Sequence, residues 1–341
     1  MDSLAQCPHE EAIKEALKEA LTSLPPNLDE TYRRMIESIP TELKNDSMRL
    51  LQFLVHSKRP LKLAEAKEVI ATQIEIKSRG FDIKRRLFCD TDVLDYCPGL
   101  VTVVHATHEL DLAHFSVKEY LLRQNQFKIS TASISITKTC LTYLTDINGS
   151  HRDIKQRFPM ARYAAEVWTG YAALAQASED IGRATVRFLE EEVTFQRWTR
   201  LYQADRGWDD NPGSPRGSRL YYACCVGLVA PAREFIGKGA DVNAQGGGYS
   251  NALQAASRGG HQEIVALLLA NGADVNAQGG DYGNALYAAS AGGHQEIVAL
   301  LLAKGADVNA QGGRFGNALH AASAGGHQEI VTLLLANGAD G

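Results

Sequence analysis

The chain has 341 residues, 45% of them hydrophobic and 22% charged, a composition typical of globular proteins with two or three domains. The formal net charge of −5 argues against a global basic field that would attract nucleic acid or a membrane surface. No apolar run reaches the roughly 18 residues of a transmembrane helix. The acidic, amphipathic N-terminus lacks the basic start and continuous apolar stretch of a signal peptide.

The cysteines are few and irregularly spaced. They are Cys7, Cys89, Cys97, Cys140, Cys224 and Cys225. Such a pattern favours reduced thiols over a disulfide framework. We therefore expect an intracellular protein, and the cytoplasm is the predicted compartment.

The first third of the chain predicts helices followed by strands. Amphipathic helices are predicted at residues 28–39, 41–57 and 63–73, with prolines between them. Residues 100–105 and 109–115 are short β-rich runs joined by a polar connection, which predicts a hairpin.

A closing helix is predicted directly after this hairpin. Ser116 is expected to cap it, with Glu119 at the third helical position as in a capping box. Three helices, a hairpin and a closing helix together predict a winged-helix domain.

Whole phrases in this region resemble a known family. They are LPPNLDETYRRMI, LLQFLVHSKRPLKLAEAKEVI, CPGLVTVV and LAHFSVKEYLL. They are similar to the fungal NACHT–ankyrin (STAND-type) signalling proteins, whose winged-helix segment is labelled after GPI inositol-deacylase. The resemblance implies a residual helix of a preceding NTPase module at 1–20, a winged-helix domain at 21–125, a helical connector at 126–202 and a linker at 203–215.

Internal repeats are the strongest signal in the last third of the chain. The triplet NAL begins at Asn251, Asn284 and Asn317, and HQE and GADVNAQGG recur with the same step of 33 residues. A fixed period of this length indicates stacked units that share one elongated core.

Each unit predicts a pair of helices and a turn-rich connection. Asn284 is expected to cap a first helix, in which Leu286 and Ala289 face inward. Gly292 and Gly293 end that helix, and a second helix is predicted at 294–304. Gly305 lies just past its end, where a positive φ is usual.

This unit resembles the ankyrin repeat, a helix–turn–helix with a β-hairpin. The resemblance covers residues 216–341, with a degenerate unit at 216–247, full units at 248–280 and 281–313, and an incomplete unit at 314–341. The family's T-P-L-H start appears here as NALQ, NALY and NALH, so its histidine survives only at His320. The hydrogen-bond relay of the family stays open in the other units. The predicted fold class is mainly α: a winged helix, a helical connector and an ankyrin solenoid.

Positions that differ between the repeats suggest where a partner binds. The candidate partner-binding residues are Tyr249, Gln254, Arg258, Asp281, Tyr282, Tyr287, Arg314, Phe315 and His320. They map to hairpin tips and inner helices, which form the concave face of ankyrin arrays, and the aromatics suit interface anchoring. The alternative is neutral drift of surface positions after duplication.

The array carries the whole acidic excess of the chain. Residues 240–341 contain eight acidic and three basic side chains, a net charge of −5. A basic protein partner is mildly favoured by this balance, and DNA binding by the array is disfavoured.

Signals for catalysis, cofactors or metals are weak. The sequence contains neither a G-x-x-x-x-G-K-[ST] phosphate loop nor a G-x-S-x-G elbow, so we expect no enzyme and no cofactor. One Cys/His group lacks zinc-ligand spacing, and we expect no metal there; its members are Cys89, Cys97, His105, His108 and His114. A basic cluster is open to DNA contact but more simply forms a solvated face; it consists of Lys77, Arg79, Lys84, Arg85 and Arg86.

Two functions remain. The first is a non-catalytic protein-interaction scaffold, derived from a fungal intracellular signalling or non-self-recognition receptor. The second is a regulatory fragment that acts on an intact NACHT-type NTPase, such as a full-length NACHT–ankyrin relative, through the winged-helix region. Neither membrane nor nucleic acid is an expected partner.

Overall fold

The computed structural model of the chain describes residues 27–75 and 79–340. The chain divides into two compact units, Met1–Ala71 with Ile83–Lys128, and Thr72–Asp82 with Ile129–Gly341. The predicted NTPase remnant at 1–20 lies outside the described residues, and the domain boundaries drawn from the sequence stay predictions.

The first unit contains the predicted helices and hairpin. In chain order, its elements are α1 (Leu28–Glu37), α2 (Lys44–His56), β1 (Leu61–Lys62), α3 (Leu63–Ala71), β4 (Val101–Val104), β5 (Glu109–Leu112) and α4 (Phe115–Arg123). Two short strands that follow α3 along the chain, β2 (Thr72–Gln73) and β3 (Gly80–Phe81), belong to the second unit. Strands β1, β5 and β4 form an antiparallel sheet in that order. Leu110 on the central strand faces both Leu61 and Val103 in register. This is the arrangement of a winged helix, as predicted.

The winged-helix core consists of apolar side chains from the helices and the sheet of the unit. Its fully buried members include Leu50, Leu51, Phe53, Leu61, Ile70, Leu110 and Leu121. The helical spacing of the first three and the strand positions of Leu61 and Leu110 explain why the sequence pattern located these elements.

The predicted cap of α4 is wrong. Helix α4 begins at Phe115, so Ser116 lies inside it, and the imidazole of His114 accepts the Ser116 backbone N–H at 3.3 Å. The Ser116 hydroxyl is used elsewhere, because it lies 2.7 Å from the Tyr32 hydroxyl and 2.7 Å from Nδ1 of His114. Ser116 thus ties α4 to α1 instead of capping α4.

The second unit continues with five connector helices. They are α5 (Ile129–Asp146), α6 (His151–Arg157), α7 (Ala161–Leu174), α8 (Glu179–Glu190) and α9 (Glu192–Leu201). Trp168 and Trp198 are fully buried with ring centroids 5.2 Å apart, and Trp198 Nε1 donates to the Ala165 carbonyl at 2.9 Å. Trp208 differs from the packing role expected for it, since its side chain is 79% exposed.

The repeat array consists of four helix pairs. They are α10 (Arg219–Cys225) with α11 (Val229–Gly237), α12 (Ala252–Gly259) with α13 (Gln262–Ala270), α14 (Ala285–Gly292) with α15 (Gln295–Ala303), and α16 (Ala318–Ala324) with α17 (Gln328–Ala336). The first helices of successive pairs pack on one another in one layer, and the second helices form the other layer. Connector helix α8 packs against α11 of the first pair.

Local chemistry of the repeats follows the sequence prediction. Asn284 accepts the backbone N–H of Tyr287 at 2.8 Å, which caps α14. Gly293 and Gly305 follow the two helices of that unit with φ of 77° and 87°, a conformation that costs little only for glycine. Within the described residues the expected β-hairpin is reduced to an isolated bridge between Gly279 and Gly283.

Candidate partner-binding surface

Asparagines of the GADVN turns join neighbouring repeats. Asn276 Nδ2 donates to the Gly305 carbonyl at 3.0 Å, and Asn276 Oδ1 accepts the Asp307 backbone N–H at 2.9 Å. The corresponding residues Asn243 and Asn309 make the same two bonds to the unit that follows each of them. These paired bonds give the turns a fixed spacing.

The repeated histidines form a second set of links between units. The His261 ring nitrogen Nε2 lies 3.3 Å from the Cys225 carbonyl, and His294 Nε2 lies 3.1 Å from the Arg258 carbonyl. Each ring therefore satisfies a carbonyl at the end of the preceding inner helix, where intrahelical partners are missing. Burial lowers the pKa of His261, which favours the neutral ring in this position.

The relay position is occupied by Tyr, Gln, Tyr and His in the four units, and the first three of these side chains bond to the connecting loop that follows. The Tyr221 hydroxyl accepts the Tyr249 backbone N–H at 3.1 Å, and Tyr287 accepts the Phe315 N–H at the same distance. Gln254 Nε2 donates to the Gly283 carbonyl at 3.3 Å. Tyrosine and glutamine thus take over the relay that the sequence comparison left open.

This finding changes the role of two candidate residues. Gln254 and Tyr287 are only 1% and 2% exposed, so they cannot touch a partner in this structure. Their variation between repeats had suggested binding, but burial and the bonds to the following loop give them a supporting role. His320, at the same position of the last unit, is exposed, and its Nδ1 lies 3.2 Å from the Phe315 carbonyl.

Five of the remaining candidates form two groups that Tyr287 links, and together we call them the aromatic–arginine strip. It consists of Tyr249, Arg258, Tyr282, Arg314 and Phe315. Ring centroids of Tyr249 and Tyr282 are 5.4 Å apart. Arg258 Nε donates to the Tyr282 hydroxyl at 3.0 Å, and its guanidinium lies 5.5 Å from that ring. The Arg314 guanidinium lies 5.8 Å from the Phe315 ring.

The strip is accessible but well supported. Phe315 is 45% exposed, while Tyr249, Arg258 and Tyr282 are half-buried. Buried Tyr287 supports the strip, because its ring centroid lies 6.0 Å from that of Tyr282 and its hydroxyl accepts the Phe315 N–H. Burial raises the pKa of Tyr249 to about 12, so its hydroxyl stays neutral. Rigid aromatic area with exposed faces is the usual anchor of a protein interface.

Two arginines of the basic cluster, Arg85 and Arg86, lie in the first unit and form ion pairs within it. Arg85 Nη2 donates to Asp46 at 2.7 Å, and Asp46 is also paired with buried Arg49. The Arg86 guanidinium forms a bidentate ion pair with the carboxylate of Glu68, whose side chain is 1% exposed. Lys77 lies outside the described residues. These pairs engage Arg85 and Arg86 with carboxylates of the fold, which leaves less of their charge for contact with nucleic acid.

The cysteine and histidine group near the hairpin does not converge. Cys97 is buried, its Sγ lies 3.8 Å from the Ser47 carbonyl, and burial raises the pKa of its thiol to about 12. Cys89 is exposed. Among residues 27–75 and 79–340, no set of three or more His, Cys, Asp or Glu side chains is arranged to hold a metal ion.

Comparison with known protein families agrees with both parts of this fold. The model described as GPI inositol-deacylase, winged helix domain, matches residues 14–133. The model described as ankyrin repeats (3 copies) matches residues 220–312 and 278–341. The chain carries a winged-helix domain of this type and an ankyrin-repeat array. Ankyrin repeats indicate protein–protein interaction.

A curated relative extends the similarity across both parts. The chain is 38% identical over 288 residues to the azaphilone pigments biosynthesis cluster protein L of Monascus ruber, an alignment that covers 73% of this chain. The chain spans about 60% of the length of that relative. Among the helices that the structure describes, none is long and apolar enough to cross a membrane.

Proposed function

We propose that this protein is a non-catalytic scaffold whose ankyrin array binds a protein partner through the aromatic–arginine strip. The observation that carries the proposal is the strip itself. Its three aromatic rings come from three successive repeats and lie on a backbone that is linked from unit to unit by side-chain hydrogen bonds. A partner would therefore meet a surface that needs little ordering, which lowers the entropic cost of binding.

The biological setting in this proposal is fungal and intracellular. The sequence phrases that resemble NACHT–ankyrin proteins point to descent from a signalling or non-self-recognition receptor, and the Monascus ruber relative is a pigment-cluster protein. A scaffold in either setting would bring a partner to a chosen place without chemistry of its own.

The proposal is tested with the full chain as bait in chemical cross-linking and affinity capture. Phe315→Ala removes the most exposed ring of the strip, and we expect it to release the captured partner. Leu335→Ala is the matched control, because Leu335 lies in the same repeat, on helix α17, and is 51% exposed against 45% for Phe315. Equal capture by the two variants would refute the assignment of the strip.

A second function, regulation of an intact NACHT-type NTPase through the winged-helix region, is favoured by two exposed aromatic side chains of the first unit. Phe115 at the start of α4 is 68% exposed and Phe88 is 97% exposed, both in the first unit. Co-purification of the full chain with a full-length NACHT–ankyrin relative tests this function. Loss of association on Phe115→Ser, with retention on Phe315→Ala, would favour regulation; the opposite pattern would favour the scaffold.

A further inference from the structure

The acidic side chains of the array lie mainly at two structural positions. Asp241, Asp274 and Asp307 each accept the backbone N–H two residues further on, at 2.9 to 3.0 Å, and so close the turns of the GADVN segments. Glu263, Glu296 and Glu329 lie in the first turns of α13, α15 and α17, where a negative charge stabilises the helix. Asp340 repeats the turn position. Turn and helix chemistry thus account for the first six of these seven carboxylates.

The strip has the opposite balance of charge. Two of the three basic residues after position 240, Arg258 and Arg314, belong to it, and neither forms an ion pair with any carboxylate in the described part of the chain. Asp281, the remaining carboxylate of the array, is exposed beside Tyr282. Asp205, a second anion near Tyr249, is half-buried and accepts the Gly248 N–H at 2.6 Å and the Tyr221 O–H at 2.8 Å. Apart from this engaged carboxylate, the strip and its immediate neighbour carry two cations against one anion.

Local charges decide recognition, because screening limits electrostatic effects to about 8–10 Å at physiological ionic strength. The net charge of the whole array favoured a basic partner, but the charges that would face a partner on the strip favour an acidic one. Guanidinium groups that lie against aromatic rings keep their outer N–H donors available for carboxylates.

Building on the proposed function, we propose that the strip binds an acidic segment of a protein partner in which carboxylates alternate with apolar or aromatic side chains. The apolar side chains would pack against Tyr249, Tyr282 and Phe315. The carboxylates would pair with Arg258 and Arg314, which have no competing acidic neighbour in salt-bridge contact.

Three fluorescent peptides of equal length test the inference. All carry the same Leu and Tyr positions, and the intervening positions are Glu in the first peptide, Gln in the second and Lys in the third. Fluorescence anisotropy with the full chain should give the order Glu, then Gln, then Lys. Binding of the Glu peptide should weaken as salt rises from about 50 to about 300 mM. Equal binding of the three peptides, or a preference for Lys, would overturn the inference.

Charge variants test whether residues of the strip cause the preference for the Glu peptide. Arg314→Glu should weaken binding of the Glu peptide about tenfold, as expected when a paired charge is reversed. Lys304→Glu makes the same change of charge at the end of α15, outside the strip, and should leave binding nearly unchanged. Asp281→Lys should tighten binding of the Glu peptide. Equal effects of Arg314→Glu and Lys304→Glu would contradict a local role of Arg314.

The two proposals fail in different ways. If Phe315→Ala releases the captured partner but Arg314→Glu retains it, the strip is the binding surface and the acidic preference is wrong. If Phe315→Ala changes neither partner capture nor peptide binding, the strip itself is not the surface. If Phe315→Ala and Arg314→Glu each lose partner capture and peptide binding, while Leu335→Ala keeps them, both proposals are supported.

Discussion

Alanine at Gly293 should destabilise the array much more than alanine at Gly305, although both glycines follow helices of the same repeat. Their φ values, 77° and 87°, impose a similar backbone penalty on any L-residue. The surroundings differ. A Cβ on Gly293 would lie 2.7 Å from Cε1 and 3.0 Å from Nδ1 of the His327 ring, whereas a Cβ on Gly305 would meet nothing within 4 Å.

The magnitude follows from these two contributions. The left-handed conformation costs alanine about 1–2 kcal/mol at either position. At Gly293 the methyl group must also displace the His327 ring, and overpacking of this kind costs about 1–3 kcal/mol. Since the backbone penalty is shared, the difference between the two variants should be close to the overpacking contribution alone.

The assay combines urea unfolding, followed by far-UV circular dichroism, with hydrogen exchange of the repeat segment. Hydrogen exchange is needed because repeat arrays open unit by unit and a single transition does not describe them. Adding His327→Ala to Gly293→Ala should relieve the overpacking contribution but not the backbone penalty, so a double-mutant cycle should show a non-additive free energy of unfolding. Equal losses from Gly293→Ala and Gly305→Ala would refute the claim that the histidine ring packs closely over the glycine.

Three further outcomes follow from the structure. Asn276→Ala removes both hydrogen bonds to the next turn and should lower the free energy of unfolding by about 1–3 kcal/mol, measured by urea unfolding. The control is Asn271→Ala, because Asn271 is an exposed asparagine that makes neither of these two bonds. Glu68→Gln leaves Arg86 without its buried partner and should cost about 3 kcal/mol in thermal unfolding, while Glu37→Gln at an exposed pair should cost under about 1 kcal/mol. Burial lowers the pKa of His261 below 6.5, so the unfolded chain binds the proton more readily and stability should fall as pH drops below that value. His261→Gln should reduce the stability difference between about pH 7.5 and pH 5.5, and an unchanged difference would contradict this account.

Periodic and local features were predictable from the sequence. The first helix was expected at 28–39 and is observed at Leu28–Glu37, and the first hairpin strand was expected at 100–105 and is observed at Val101–Val104. Asn284 caps its helix as expected. These features depend on apolar spacing and on bonds to residues three or four positions away, which a single sequence displays.

Contacts between distant residues were not predictable in the same way. The sequence offered Ser116 as a cap, but its hydroxyl contacts Tyr32, which lies 84 residues earlier. Arg85 was assigned to a solvated basic face, but it pairs with Asp46 across 39 residues. Nothing in the local pattern distinguishes a cation that will meet a buried carboxylate from one that stays in water.

The candidate site shows the same division between local and distant information. Variation between repeats identified the strip, but it also included Gln254 and Tyr287, which are buried supports of the following loop. A repeat position can vary because several side chains satisfy one hydrogen bond, and sequence alone cannot separate this cause from partner selection. The signal that was available was chemical: glutamine, tyrosine and histidine at one position all offer a polar group at the end of a planar side chain.

Neutral drift and selection for a partner predict different patterns of variation between the repeats at exposed positions. The structure shows which positions are exposed, so the two patterns can be compared. Gln and Glu at the start of the second helices are exposed in all three units, yet they are identical in each; these residues are Gln262, Gln295, Gln328, Glu263, Glu296 and Glu329. Neutral drift after duplication would change the glutamines as readily as the residues of the strip, whereas the glutamates also stabilise the first turns of their helices. Asp281, beside the strip, and the corresponding residue Arg314, within it, differ in charge, while the neighbouring rings of Tyr282 and Phe315 stay aromatic. Retained aromatic area with altered charge is the pattern expected of a surface that keeps its anchors while its choice of partner changes.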